Sequence, residues 1–393
     1  MSSIFSDRIR DVPQSFIREI LKVATESEII SFAGGLPNGN LFPVNEIQQA
    51  ANKVLEKHGP EALQYANTEG YLPLRQYIAD RYKEKQGLSI NPDNILITTG
   101  SQQGLDLLGK IIVNEGDDII IEQPGYLGAI QAFSVYRPNF LPVDVDEEGL
   151  DCATLKKVMS GASPKLFYSV PNFQNPSGIT YSNENRRQVA SIISGSNTLL
   201  IEDNPYGDLR FEGEQKTSFY QLMPKNTLLL GSFSKTIVPA FRTGWIVAPD
   251  HIMEKLVIAK QAADLHSNYF AQRIIHQYLM DNDLDEHIHN IIEVYRRQKQ
   301  AMMDSISKHF PDNIKYTNPE GGMFLWVELP EGFSAMDLFN IAIKDKVAFV
   351  PGDPFYVDDK AKNTLRLNFS CSNEKNIEIG IQRLAKAIGS FIK

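Results

Sequence analysis

Residues 226–249 read N-T-L-L-L-G-S-F-S-K-T-I-V-P-A-F-R-T-G-W-I-V-A-P. Two short apolar runs, 228–230 and 245–248, have the length and character of buried strands. Between them runs a polar loop holding Ser232, Ser234, Lys235 and Arg242. A lysine at the mouth of a buried strand admits two readings. It is a solvated loop cation, or it is a Schiff-base nucleophile whose neighbours hold a phosphate. The second reading needs the amine desolvated or set beside another cation. It also needs fork-like donors for the phosphate, and two hydroxyls plus an arginine seven residues on supply them.

Outward from this stretch, 94–249 alternates short apolar runs with helical stretches. Strands are expected at 95–98, 119–122, 166–170, 198–202, 228–230 and 245–248. Their nearly continuous apolar character fits a largely parallel sheet covered on both faces, an α/β architecture. Such sheets bind ligands in the crevice beyond the carboxyl ends of their strands. Four further polar motifs fall just after those ends. T-T-G-S-Q-Q-G (98–104) sets Ser101 and Gln102 at the start of a helix, where free N–H groups favour a phosphate. Q-P-G-Y ends on Tyr126, and P-N-F-Q-N-P-S-G carries Asn175. I-E-D-N-P-Y supplies Asp203 and Tyr206. Taken singly, three of them have another reading: a polar helix start, a core tyrosine after a turn, a carboxylate that could bind metal; P-N-F-Q-N-P-S-G is the more specific signal. No histidine or cysteine cluster accompanies Asp203, and no metal is assigned.

Taken together, these motifs resemble the fold-type I pyridoxal-phosphate enzymes, specifically the class I/II aminotransferases and, within them, the 2-aminoadipate and kynurenine transaminase branch. The resemblance spans 34–366. It implies pyridoxal 5'-phosphate as cofactor, a large domain with a mostly parallel sheet covered by helices, and a smaller α/β domain. It makes Lys235 the Schiff-base lysine and the base for 1,3-proton transfer. Asp203 would keep the pyridine nitrogen protonated, so that the ring acts as an electron sink. Tyr206 and Asn175 would hydrogen-bond the phenolic oxygen, Asn175 also reaching the substrate carboxylate. Ser101, Gln102, Ser232, Ser234 and Arg242 would bind the phosphate, and Tyr126 would stack on the ring. Ser177 stands where the family often has threonine.

The same resemblance assigns the substrate side. Arg366, in T-L-R-L-N-F-S (364–370), would bind the α-carboxylate through its two-pronged guanidinium. Gly35, in I-S-F-A-G-G-L-P-N-G-N-L-F-P (30–43), would lie over the site near that carboxylate. Arg18, on an expected first helix with Phe16, Ile17, Ile20, Leu21 and Ala24 at helical spacing, would reach a distal carboxylate. Tyr65 would cross a homodimer interface to the other subunit's phosphate, and Tyr71 is a weaker candidate. The aromatics Tyr65, Tyr71, Tyr126 and Phe349 would admit aromatic or branched substrates beside 2-aminoadipate.

The implied reaction is ping-pong amino transfer from an L-amino acid to 2-oxoglutarate. A cofactor-dependent lyase or decarboxylase on the same fold is the enzymatic alternative, since bond choice depends on substrate orientation. A regulatory aminotransferase-like module is the non-enzymatic one. Such regulators carry an additional basic helix-turn-helix segment, which is not expected in this chain.

Composition narrows the field. The 393 residues, 42% of them hydrophobic, suffice for a large core and more than one domain. A formal net charge of -9 lacks the footprint of a nucleic-acid binder. Cys152 and Cys371 form no spaced set, against a disulfide scaffold or a thiolate metal site. The charged amino terminus is no secretory signal, and no run approaches the roughly 20 apolar residues of a membrane span. A cytoplasmic enzyme is expected. Residues 45–290 are expected to form the large domain, with 1–44 and 291–393 as the small domain, whose amino-terminal segment caps the substrate. His287 and His289 read as solvated residues of a polar helix.

Overall fold

The computed structural model of the chain describes residues 4–10, 12, 20, 28–358 and 362–392. In the lysine-bearing stretch, Leu228 and Leu230 enter one apolar cluster while Leu229 enters another, on the opposite face. Leu96 and its neighbours Ile95 and Ile97 divide in the same way. This is the two-residue period of a strand with both faces buried.

Eight strands form the main sheet: β1 (Ile95–Thr99), β2 (Asp118–Gln123), β3 (Asn139–Asp146), β4 (Gly149–Leu150), β5 (Leu166–Ser169), β6 (Leu199–Asp203), β7 (Thr227–Ser232) and β8 (Thr243–Val247). Their order is β1-β8-β7-β6-β5-β2-β3-β4. The ladders from β3 through β2, β5 and β6 to β7 are all parallel. Strand β8 runs against both β7 and β1. The amino end of β8 therefore shares an edge with the carboxyl ends of β1, β2, β3, β5, β6 and β7. Residues just before β8 reach the same crevice as residues just after β1, β2, β5, β6 and β7.

Strands β3 and β4 were not expected from the sequence. N-F-L-P-V-D-V-D has Pro142 inside and exposed positions along its length, the pattern of a strand near a sheet edge.

Helices cover both faces. In chain order they include α1 (Val44–Ala62), α2 (Leu72–Gln86), α3 (Ser101–Ile112), α4 (Asp250–Ala263), α5 (Tyr269–Asp281), α6 (Leu284–His309) and α7 (Glu374–Phe391). Helix α1 runs on past His58, which has a non-helical φ of -139° and ψ of 22°; Pro60 follows it. Helix α2 ends on Gly87 at φ 68°.

A second, antiparallel sheet has the order β9-β10-β12-β11, formed by β9 (Lys315–Tyr316), β10 (Phe324–Glu328), β11 (Val350–Pro351) and β12 (Thr364–Asn368). Ile30–Ser31 pairs in parallel with Val347–Ala348, which ties the early chain to its carboxyl-terminal part. Ile20 is buried, whereas the rest of the expected first-helix stripe, and Arg18 with it, lies outside the described residues. Among the described residues no helix is long and apolar enough to cross a membrane.

Two buried charged groups shape the loop after β5. Arg186 donates to the Pro171, Tyr181 and Thr217 carbonyls and to Asn172 Oδ1. Glu122 accepts from Ser169 Oγ, the Val170 amide, Gln174 Nε2 and Tyr181 Oη. Leaving such groups unpaired would cost several kcal/mol each, on the order of a whole domain's margin of stability. Satisfied, they hold 169–182 in one conformation with Asn175 at its tip.

Candidate active site

A cleft of about 400 Å³ opens at the shared strand edge. Into it come Ser101 from the start of α3, Tyr126 from beyond β2, Asn175 from beyond β5, and Asp203 with Tyr206 at the end of β6. Ser232, Ser234 and Lys235 come from the end of β7, Arg242 from just before β8, and Arg366 from β12. Gln102 and Gly35 complete the set.

Asp203 is 2% exposed. Its Oδ2 accepts from Tyr168 Oη at 2.8 Å, while buried Oδ1 meets no partner among the described residues. Burial pushes its carboxyl up to about 7; the Tyr168 hydrogen bond opposes the rise and the Glu122 charge adds to it. The site therefore presents an acceptor, without a donor of its own, to a cationic N–H.

Lys235 sits partly buried, its Nζ donating to the Gly35 carbonyl at 2.8 Å. Desolvation, assisted by the positive charges of Arg366 and Arg242, brings its amine down to about 8. Near neutral pH a usable fraction is the free, nucleophilic base. The Tyr206 ring centroid lies 6.0 Å from Nζ. Burial keeps the Tyr206 hydroxyl protonated well past its ordinary range.

Arg366 is 3% exposed and enclosed by aromatic faces, with Phe324 at 4.4 Å and Phe355 at 5.4 Å from its guanidinium carbon. Nη1 donates to Asn175 Oδ1 at 2.8 Å and Nη2 to the Ala33 carbonyl at 2.9 Å, while Nε has no partner among the described residues. Asn175 Nδ2 turns the other way, 3.4 Å from Tyr206 Oη. One asparagine thus joins the arginine to the tyrosine.

At the other end of the cleft, Gly100 adopts φ +74° and precedes α3, whose first turn has no side-chain cap. A Cβ built on Gly100 would meet Arg242 Nη2 at 2.4 Å, so only glycine lets the guanidinium lie against this turn. Ser232 Oγ and Ser234 Oγ lie 2.8 Å apart. Gln102 Nε2 donates to the Gly128 carbonyl. Uncapped helical N–H groups, two hydroxyls and an arginine make a cradle for a phosphate-sized dianion.

Residues 27–384 match the family described as aminotransferase class I and II. The chain belongs to the class I and II aminotransferase family. This aminotransferase is 41% identical, over 99% of its length and 95% of the other, to aromatic-amino-acid aminotransferase 1 of Thermococcus litoralis. Its structure is similar to a kynurenine aminotransferase of Pyrococcus horikoshii in complex with PMP, KYN as substrates and KYA as products. That match has a TM-score of 0.95 and 39% identity, and covers 99% of this chain and 98% of the other. An α-aminoadipate aminotransferase from Thermus thermophilus, complexed with N-(5'-phosphopyridoxyl)-L-leucine, gives a TM-score of 0.92 at 38% identity, with the same shares covered. The chain is thus a fold-type I, pyridoxal-phosphate-dependent aminotransferase that moves amino groups between amino acids and 2-oxo acids. The cofactor fits the aminotransferase's cleft: a lysine for the aldehyde, an orphaned carboxylate oxygen for the ring nitrogen, and a cradle for the phosphate.

Tyr65 is 80% exposed and lies outside the cleft of its own chain, its ring edge-on to His266. Two other expectations for the aminotransferase need restating. Phe349 is fully buried against Phe339, inside the small sheet's core and away from the cleft. His287 is half-buried, its Nε2 enclosed, and burial lowers its basicity, whereas His289 is exposed. Tyr71 packs edge-on against Tyr269 and His276. Tyr168 and Phe355 were missed. The signal for Tyr168 was a hydroxyl inside an otherwise apolar strand next to the one ending in Asp203.

Proposed function

We propose that this aminotransferase takes the amino group of a 2-aminoadipate-like L-amino acid, with aromatic and branched-chain donors also accepted, and passes it to 2-oxoglutarate by a ping-pong mechanism. The observation that carries the reading is the convergence in one cleft of a desolvated amine, an orphaned carboxylate oxygen and an orphaned guanidinium N–H: Lys235, Asp203 and Arg366. The breadth of donors is supported by relatives near 40% identity whose names specify aromatic amino acids, aminoadipate and kynurenine.

When bound, pyridoxal phosphate supplies the electron sink that makes the substrate's Cα proton acidic. Lys235 Nζ would hold the cofactor's aldehyde end and, once released, would take up and return that proton. Asp203 Oδ1 would accept from the ring nitrogen and keep it protonated. Tyr206 Oη and Asn175 Nδ2 would hydrogen-bond the phenolic oxygen, and Tyr126 would hold the ring. Ser101, Gln102, Ser232, Ser234 and Arg242 would hold the phosphate. Arg366, oriented by Asn175 and the Ala33 carbonyl, would receive the α-carboxylate through its two-pronged guanidinium. Gly35 closes the cleft over that carboxylate.

The residue roles extend to a homodimer. In this reading Tyr65, exposed on one subunit, reaches the phosphate of the other, and the neighbouring exposed Leu63 and Leu265 belong to the covered surface. Residues 45–290 act as the large domain, and 1–44 with 291–393 as the small domain. The boundary falls inside the continuous helix α6, which then spans both. Arg18 is the proposed contact for a distal acidic group.

The test is a half-reaction, following the visible absorbance of the cofactor-loaded enzyme separately with 2-aminoadipate, kynurenine, leucine, phenylalanine and glutamate. Conversion to pyridoxamine phosphate, reversed by 2-oxoglutarate, is expected, with Arg18→Ala slowing the acidic donors selectively. No conversion with any of the five donors would overturn this choice of substrates.

A further inference from the structure

Lys260, on α4, has no part in the cleft, yet its side chain is wholly buried. Its Nζ donates to Asp264 Oδ1 at 2.9 Å and Oδ2 at 3.1 Å, to Ser267 Oγ at 3.0 Å, and to Gln103 Oε1 at 2.9 Å. An ammonium has three hydrogens, and here three side chains take them, Asp264 and Ser267 from the loop after α4 and Gln103 from α3. A buried ion pair is costly to desolvate and is often replaceable by apolar residues of similar volume without loss of stability. Packing alone is a weak reason for a lysine here.

The acceptors lead back to the cleft. Gln103 belongs to the first turn of α3, and its Oε1 also accepts the Thr99 amide at 2.8 Å. Gln103 Nε2 donates to Asp264 Oδ2 at 2.7 Å, and Thr99 Oγ1 reaches the same oxygen at 3.2 Å. Thr99 and Gln103 flank Gly100, the left-handed residue under the Arg242 guanidinium. The turn that opens the uncapped end of α3 is thereby clamped from behind on both sides. Asp264 neutralises the lysine, so the arrangement sets geometry more than potential.

We infer that Lys260 is a positioning residue for the phosphate end of the cofactor, acting through Gln103 and Thr99 to fix the Thr99–Gln102 turn. The inference rests on the phosphate role assigned above to Ser101, Gln102 and Arg242.

The experiment uses the full-length chain freed of cofactor, as wild type, Lys260→Met, Lys260→Arg and Gln103→Leu. Affinities are measured for pyridoxal phosphate and for pyridoxal, which lacks the phosphate. Losing a charge-assisted hydrogen bond that orders the cradle is expected to weaken pyridoxal phosphate binding about tenfold in Lys260→Met and Gln103→Leu. Pyridoxal affinity should stay within about twofold of wild type, because the aldehyde and ring contacts are untouched. Lys260→Arg should recover part of the loss. Gln103→Leu keeps the Lys260–Asp264 pair and carries the test should Lys260→Met fail to fold. Unchanged pyridoxal phosphate affinity, or equal loss for both ligands, would overturn the inference. A wild-type chain that binds pyridoxal but shows no added affinity from the phosphate would instead overturn the phosphate reading on which it rests.

Discussion

Tyr168 Oη donates to Asp203 Oδ2 at 2.8 Å, and this single contact leaves Asp203 Oδ1 buried without a partner among the described residues. The strand pair explains it. Tyr168 on β5 and Asp203 on β6 lie on adjacent parallel strands and line the same cleft, so the pairing of the strands brings the hydroxyl to the carboxylate. Asp203→Asn keeps the shape and removes the charge opposite the ring nitrogen. A fall in kcat of roughly 10²- to 10³-fold is expected, the scale of losing one preorganised electrostatic partner. Tyr168→Phe should cost less, about tenfold, measured by steady-state kinetics at saturating cofactor.

The same carboxylate makes a prediction about stability. In the cofactor-free chain its pKa rises from 3.8 to about 7, because burial disfavours the anion. The folded chain holds the proton to higher pH than the unfolded chain does. Asp203 therefore costs no stability below pH 4, and an increasing amount as pH rises to about 7. Asp203→Asn lacks this term. Its melting temperature without cofactor should approach wild type near pH 4 and exceed it increasingly up to about pH 7, by calorimetry across that range. A gap independent of pH would contradict the burial argument.

Gly100→Ala should separate the two ends of the cofactor. The added Cβ would lie 2.4 Å from Arg242 Nη2, and a backbone at φ 74°, ψ 166° costs a non-glycine residue roughly 1–3 kcal/mol. Weaker pyridoxal phosphate binding is expected, with kcat largely restored when the cofactor is in excess. Equilibrium titration of the cofactor-free chain checks it.

Arg366→Lys retains the charge but not the fork, or the flat face packed against Phe324 and Phe355. The KM for every amino donor should rise, by roughly tenfold or more, whatever the donor's side chain. An increase confined to acidic donors would assign Arg366 to side-chain recognition instead.

Much of this was legible because the motifs sit at strand ends, and strand ends in a parallel sheet share an edge. Lys235, Asp203, Asn175 and Tyr126 each follow an apolar run short enough to read as a buried strand. Arg242 obeys the rule in mirror image, preceding a strand that runs the other way. Strand β3 escaped because Pro142 and its exposed positions hide a strand among loop-like residues, and β4 because it is only two residues long. Tyr168 escaped because its partner is 35 residues away and only strand pairing brings them together. Phe349 was misjudged because an aromatic beside a Pro-Gly turn reads alike in a cleft wall or a core, and here it packs on Phe339. Tyr65 was expected to act on another subunit's site, and its exposure here leaves it available for that role.

The central claim is that Lys235 Nζ is the atom that carries the cofactor. Borohydride reduction of the cofactor-loaded enzyme, followed by peptide mapping, tests it most directly. A stable phosphopyridoxyl group on the peptide containing Ser234-Lys235-Thr236, absent from Lys235→Ala, is the expected result. Because the amine lies near 8, labelling of the freshly reconstituted enzyme should also rise with pH through that value as the free base forms. A label on any other lysine, or an undiminished label in Lys235→Ala, would contradict the account.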